Sequence, residues 1–326
     1  MGDEMKRDHG GNLDWAVGQY GGTKADWIDL STGINRVPYP VPAISPAAWS
    51  ALPTASATAT LIDAARVAFN TSGAVLPLAG AQAAIQLMPL LSAPGTAKIM
   101  SPTYNEHAAA LRALGWQVVE AATAEDTAGA DLAVVVNPNN PDGRHYEPAA
   151  LLALLPKVGR LVVDESFGDP YPANSLVPQA GRDGLVVLRS FGKFYGLAGM
   201  RLGFALGSEA DIATLSQLAG PWPVCGPALE LGALALADKA WATATTNRLM
   251  SEIPRMDELA AAAGWNVVGG TCLFRLYDTP NAQDTQAKLA RAHIWSRIFP
   301  YSDRWIRLGM PGNDAEWARL AAALRG

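Results

Sequence analysis

The stretch Leu185–Gly207, LVVLRSFGKFYGLAGMRLGFALG, sets the reading of the whole chain. An apolar strand, Leu185 to Leu188, runs into Ser190-Phe191-Gly192-Lys193. A Gly-rich turn follows, Arg201 comes eight residues after Lys193, and a second short strand begins at Leu202. Lys193 is the only lysine between Lys157 and Lys239, and its neighbours Phe191, Gly192, Phe194, Tyr195 and Gly196 carry no charge. An amine desolvated among such groups has its charged form disfavoured, which makes it a nucleophile toward a carbonyl. A lone lysine at a strand end is also an ordinary surface feature, so the other strand ends decide its meaning.

Outward from this stretch, Leu132 to Val136 and Leu161 to Val163 are, like Leu185 to Leu188, continuous apolar runs without polar alternation. Such runs suit strands buried on both faces of a parallel sheet. Val75 to Leu78, Lys98 to Met100 and Gln117 to Glu120 read as further strands. Thr58 to Phe69, the segment from Ala79 to about Leu91, Asn105 to Leu114 and Glu147 to Leu155 read as helices. Strands alternating with helices to about Gly220 predict an α/β domain. Pro227 to Ala263 reads as helix interrupted near Pro254. Thr271 to Tyr277, Ala292 to Phe299 and Trp305 to Leu308 read as short strands, and Asp314 to Leu324 as a closing amphipathic helix. The expected division is an irregular N-terminal arm at 1–53, with Trp27 to Leu30 a brief strand, a large domain at 54–225 and a small α+β domain at 226–326.

In an open parallel sheet the ligand sits beyond the carboxyl ends of the strands, and these ends carry polar groups in a telling order. Gly80, Ala81 and Gln82 open a helix whose first N–H groups suit a phosphate, although a plain turn into a helix reads equally well. Tyr104 follows the next strand and can lie flat on an aromatic ring. Asn137-Pro138-Asn139-Asn140-Pro141-Asp142-Gly143 is a rigid loop that can aim an Asn amide at a phenolate oxygen. Asp164 ends an apolar run and needs a partner to stay ionised; a helix cap is the competing reading. Ser190, Lys193 and Arg201 complete the series, Arg201 as a bidentate phosphate clamp. Pyridoxal phosphate answers to all of these groups: phosphate, ring, ring oxygen, a protonated nitrogen paired with Asp164, and an aldehyde for Lys193.

Composition narrows the partners. The 326 residues, 49% hydrophobic, can bury a full core. Lys and Arg number 25 against 30 Asp and Glu, a net charge of −5 with no concentrated basic run, which argues against nucleic acid. Cys225 and Cys272 lie far apart and the four histidines are scattered, so neither a metal site nor a disulfide framework is expected, in keeping with a reducing cytoplasm. The polar start MGDEMKRDHGG and the lack of a membrane-length apolar run predict neither a signal peptide nor an anchor.

The motifs NPNNPDG from Asn137, VVDESF from Val162 and SFGKFYGLAGMRLGF from Ser190 resemble the fold-type I pyridoxal-phosphate enzymes. The similar branch holds histidinol-phosphate aminotransferase and the threonine-phosphate decarboxylases of cobalamin biosynthesis. The resemblance covers nearly the whole chain. It implies the aspartate aminotransferase-like fold: a mostly parallel central sheet with helices on both faces, plus a small α+β C-terminal domain. It also implies Asn140 on the ring oxygen, Asp164 on the ring nitrogen, Tyr104 stacked on the ring, Lys193 bonded to the cofactor and Arg201 on its phosphate, in a homodimer.

His9-Gly10-Gly11-Asn12 and Leu30-Ser31-Thr32-Gly33-Ile34-Asn35 look like the decarboxylases' arm, which closes over the substrate, and SRIFPYSDRWIRLGMPG from Ser296 resembles the carboxylate-binding segment. The resemblance therefore makes His9, Gly10, Asn35, Asn140, Arg297 and Arg307 substrate-binding. Three positions depart from the ordinary aminotransferase pattern: Phe167 stands where a Tyr is frequent, Gly192 where a Ser is frequent, and no Tyr occurs near Leu52-Pro53. The expected activity is decarboxylation of L-threonine O-3-phosphate, with Lys193, Asp164 and Tyr104 at the reaction centre. An aminotransferase of the histidinol-phosphate type is the nearest alternative, and an inactive binding protein on the same fold the next. Neither GxGxxG nor GxxxxGK[ST] occurs, which disfavours a nucleotide-binding oxidoreductase.

Overall fold

The computed structural model describes residues 9–325; residues 1–8 of the expected arm, and most of the polar start read for targeting, lie outside it. The chain opens with α1 (Leu13–Tyr20), β1 (Ile28–Asp29), α2 (Pro46–Ser50) and α3 (Ala55–Phe69). The alternating region follows as β2 (Ala74–Leu78), α4 (Ala81–Leu87), β3 (Thr96–Met100), α5 (Glu106–Ala113), β4 (Gln117–Ala121), β5 (Leu132–Val136), α6 (Pro148–Leu152), β6 (Leu161–Asp164), β7 (Leu185–Ser190), β8 (Gly203–Gly207) and α7 (Glu209–Ala219). The remainder is α8 (Gly226–Ala237), α9 (Lys239–Ala262), β9 (Asn266–Gly270), β10 (Phe274–Asp278), α10 (Ala282–Arg291), β11 (Ile294–Trp295), β12 (Arg297–Phe299), β13 (Ser302–Gly309) and α11 (Asp314–Arg325).

These elements form two compact units, Pro38–Ala244 and the described residues up to Val37 with those from Thr245 on. Hydrogen bonds and strand pairing tie segments that are distant in sequence together within each unit. Ser45 caps α2 and ties it to α8, its N–H and Oγ donating to Glu230 Oε1 and Oε2 at 2.9 and 2.6 Å. In the other unit β1 pairs in parallel with β11.

The larger unit is built on a seven-stranded sheet of order β2-β8-β7-β6-β5-β3-β4. β3 to β7 are mutually parallel, and the apolar runs of β5, β6 and β7 lie at its centre, buried on both faces. β8 is antiparallel to both β7 and β2, because no crossover helix separates it from β7. Pro77 sits in the edge strand β2, where a missing ladder donor is tolerated.

The smaller unit carries a four-stranded antiparallel sheet, β12-β13-β10-β9. Within it, α1 packs Ala16 against Ala290, Trp27 and Trp295, so the arm contains a helix where irregular chain was expected. The expected interruption at Pro254 is absent: α9 runs through it, losing a single N–H donor. The break falls instead at Asp238, whose Oδ1 accepts the N–H of Trp241 at 2.9 Å as α9 begins. α7, α10 and β9 add to the sequence reading; β9 is largely exposed and rich in Gly, so it shows no apolar period. Among the described residues no helix is long and apolar enough to cross a membrane.

Candidate active site

β2, β3, β5, β6 and β7 all point the same way, so the residues after their carboxyl ends come to one edge of the sheet. Gly80, Ala81, Gln82, Tyr104, Asn140, Asp164, Ser190, Lys193 and Arg201, far apart in sequence, line a single cavity there. Ser166, Phe167 and Gly192 line it as well.

Asp164 closes β6 and is buried. Its Oδ1 accepts the Ser166 N–H at 2.9 Å and the Ser166 hydroxyl at 2.6 Å, and its Oδ2 lies 2.8 Å from His107 Nε2. Burial opposes ionisation, but the hydrogen bonds and charge of His107, followed by the Ser166 bonds, outweigh it and hold the carboxyl below its ordinary range. His107, on the first turn of α5, went unread in the sequence. It lies 57 positions from Asp164, and no periodicity links a helix start to a strand end that distant.

The next carboxylate, Glu165, accepts from Arg189 Nη1 at 3.0 Å, the Ser175 hydroxyl at 2.6 Å and the Leu176 N–H at 2.7 Å. Arg189 also donates to Asp169 Oδ1 at 2.6 Å. Burial pushes the pKa of Glu165 and Asp169 up, against the pull of Arg189. Removing one partner of such a buried cluster is strongly destabilising, so Arg189 secures the loop between Asp164 and Lys193. Arg189, too, was missed in the sequence.

The asparagine-rich loop divides its labour. Asn137 donates to the carbonyls of Tyr146 and Asn174 and accepts from the Tyr146 N–H. Asn139 is held by Thr103, the Pro102 carbonyl and Asp142. Both are buried and hold the loop's shape, whereas Asn140 lines the cavity.

At the start of α4, Gly80 has φ +82°, and a Cβ there would lie 2.8 Å from Arg201 Nη2. The positive φ favours glycine at this position, and the missing Cβ lets the guanidinium approach the backbone closely. Arg201 itself is left-handed (φ 52°) and donates from Nη1 to the Ala198 carbonyl at 3.1 Å, which fixes its head near the helix start. Gly203 packs directly against Ala81 N. Lys193 Nζ stands over the Phe167 ring, 5.4 Å from its centroid, so the position of the frequent Tyr offers a π face and no hydroxyl.

The remaining expected residues belong to the smaller unit. Arg297 and Arg307 face each other as partners across β12 and β13. Arg307 is buried, donates to the Ser31 carbonyl at 2.6 Å and lies over Phe274. Burial, then the charge of Arg297, lowers its pKa to about 9. Asn35 is buried and its Oδ1 accepts from Val37 N–H and Arg248 Nη2. A Cβ at Gly10 would meet the Ser31 carbonyl oxygen at 2.5 Å, and Ser31 Oγ accepts the Gly11 N–H at 2.7 Å. His9 is exposed.

The donor set of the cavity fits pyridoxal phosphate. First-turn N–H groups, Ser190 and a guanidinium suit a phosphate; a buried, ionised carboxylate suits a protonated ring nitrogen; a tyrosine ring, an Asn amide and an amine suit the rest. Residues 50–324 match the model of the family "Aminotransferase class I and II". The chain belongs to that family. Its relatives include a threonine-phosphate decarboxylase from Pseudomonas aeruginosa, 43% identical over 98% of this chain and 97% of the relative. A second threonine-phosphate decarboxylase, from Sinorhizobium, is 42% identical over 97% of each. Among solved structures of the fold, histidinol-phosphate aminotransferase from Sinorhizobium meliloti in complex with pyridoxal-5'-phosphate has a TM-score of 0.80 at 20% identity, covering 95% of this chain and 92% of that one.

Proposed function

We propose that this member of the family is a pyridoxal-phosphate-dependent carboxy-lyase. In this reading it converts L-threonine O-3-phosphate to 1-amino-2-propanol phosphate and CO2, a step of cobalamin biosynthesis. The near-full-length likeness to two threonine-phosphate decarboxylases carries the reading. When bound, the cofactor supplies an aldehyde that takes up the substrate amine and a ring that draws electrons from the α-carbon. The first-turn N–H groups at Ala81 and Gln82, with Ser190 and Arg201, would hold the phosphate. Tyr104 would cover the ring, Asn140 would donate to its oxygen, and Asp164 would keep a proton on its nitrogen. The Lys193 amine would hold the aldehyde.

Which bond to the α-carbon breaks depends on how the substrate is held. Arg297 and Arg307 bind the carboxylate in this reading; two like charges on facing residues repel, and a bound anion relieves that repulsion. His9, Gly10 and Asn35 bind the substrate phosphate in this reading. Loss of CO2 leaves an electron pair at the α-carbon, and a proton takes the place of the carboxylate.

The purified chain, given pyridoxal phosphate and L-threonine O-3-phosphate, releases one CO2 for each aminopropanol phosphate formed. Absence of CO2 with conversion of the cofactor to its amine form would establish the aminotransferase alternative. In this reading the working form is a homodimer, and the exposed Trp49, Leu52 and Trp222 of the larger unit are available to a partner surface. Sedimentation equilibrium is expected to return twice the 34.3 kDa chain mass; a monomer at micromolar concentration overturns this.

A further inference from the structure

We propose that Glu106 is a positioning residue of the cavity: acting through Gln82, it fixes the direction of the Tyr104 hydroxyl and so anchors that ring. The inference rests on the reading that the cavity holds pyridoxal phosphate. Tyr104 Oη lies 3.3 Å from Gln82 Oε1, and Gln82 Nε2 lies 3.0 Å from Glu106 Oε2. Glu106 is buried on the first turn of α5, and Gln82 stands on the first turn of α4. As a carboxylate Glu106 only accepts, so it takes the NH2 end of the Gln82 amide. The other end, an oxygen, must then face Tyr104, and the phenol is the donor in that bond.

Two consequences follow for the cavity. The proton of the Tyr104 hydroxyl is directed at Gln82, so Tyr104 offers the cofactor its ring face and not an acidic proton. One N–H of the Gln82 amide is committed to Glu106, which fixes the direction of the whole amide. Glu106 also neighbours His107, the partner of Asp164. One turn of α5 thereby orients a ring-covering residue with one side chain and the carboxylate for the ring nitrogen with the next.

The test titrates apoprotein with pyridoxal phosphate, reading affinity and the induced circular dichroism of the bound cofactor. Glu106→Ala is expected to weaken binding about tenfold, the size of one net hydrogen bond, and to reduce the induced signal. Glu106→Gln retains most of both, since its amide oxygen still accepts from Gln82. Tyr104→Phe cuts the same chain at its far end, so Glu106→Ala combined with Tyr104→Phe binds no more weakly than the weaker single variant. Additive losses, or a Glu106→Ala protein that melts earlier with unchanged affinity and dichroism, overturn the proposal. Should Glu106→Ala fail to fold, Gln82→Leu replaces it with the same expectations. Wild-type protein that takes up no pyridoxal phosphate sinks the functional reading and this inference together; wild-type binding with unaltered variants sinks the inference alone.

Discussion

Lys193→Ala is expected to lower CO2 release by about 10⁴-fold or more, because in the proposed reading the lost amine is the nucleophile that would hold the cofactor aldehyde. Folding is expected to survive. Lys193 is only half-buried, and the pairs that secure its surroundings, Asp164 with His107 and Arg189 with Glu165 and Asp169, do not involve it. Ser190 and Arg201, which would hold the phosphate end, are untouched, so the variant is expected to bind the cofactor still, with an altered visible spectrum. A small amine such as methylamine, added in excess, is expected to restore part of the turnover, since the lost group is chemically simple. Steady-state CO2 assays on both proteins check this, and a variant within tenfold of wild type would exclude Lys193 from the chemistry.

Asp164→Asn keeps the shape of the side chain and removes its charge, and is expected to lower turnover by about 10²–10³-fold, the scale of a lost preorganised electrostatic partner. The burial of Asp164 makes its charge effective. The pH dependence follows from the direction of the shift. The folded carboxyl is held below its unfolded value of about 3.9. Its contribution to stability is therefore present above that value and lost as the pH falls through the lower folded one. Asp164 stays ionised across neutral pH and adds no limb to the rate profile between about pH 5 and 9. Measured kcat against pH for wild type and Asp164→Asn tests both statements; equal turnover in the variant would remove Asp164 from the mechanism.

The sheet at the centre was legible because β5, β6 and β7 are apolar without alternation, which leaves them no solvent face. The residues of the candidate cavity were legible because each follows a strand, and strand ends are where a parallel sheet exposes polar groups. Partner choice among buried side chains was not. His107, Arg189 and Glu106 lie on a helix turn or a strand and look like ordinary surface or core positions in sequence. The break at Asp238, in place of Pro254, was hidden for a related reason: a helix tolerates one missing donor when its neighbours pack, and packing is not a local property.

By itself the sequence determined the α/β class, the strands that form the core, the family and the set of groups that meet in the cavity. Those features depend on local propensity, apolar runs and short rigid motifs, all of which act between near neighbours. Only the tertiary structure decided that β8 runs against the sheet, that the N-terminal segment shares a unit with the C-terminal elements, and that Asn137 and Asn139 hold the shape of their loop. It also decided that Asp164 is paired with His107 and Tyr104 with Gln82. Each of these outcomes depends on the register and direction in which distant segments pack, and a hydrogen bond a few ångströms long is specified only once that packing exists.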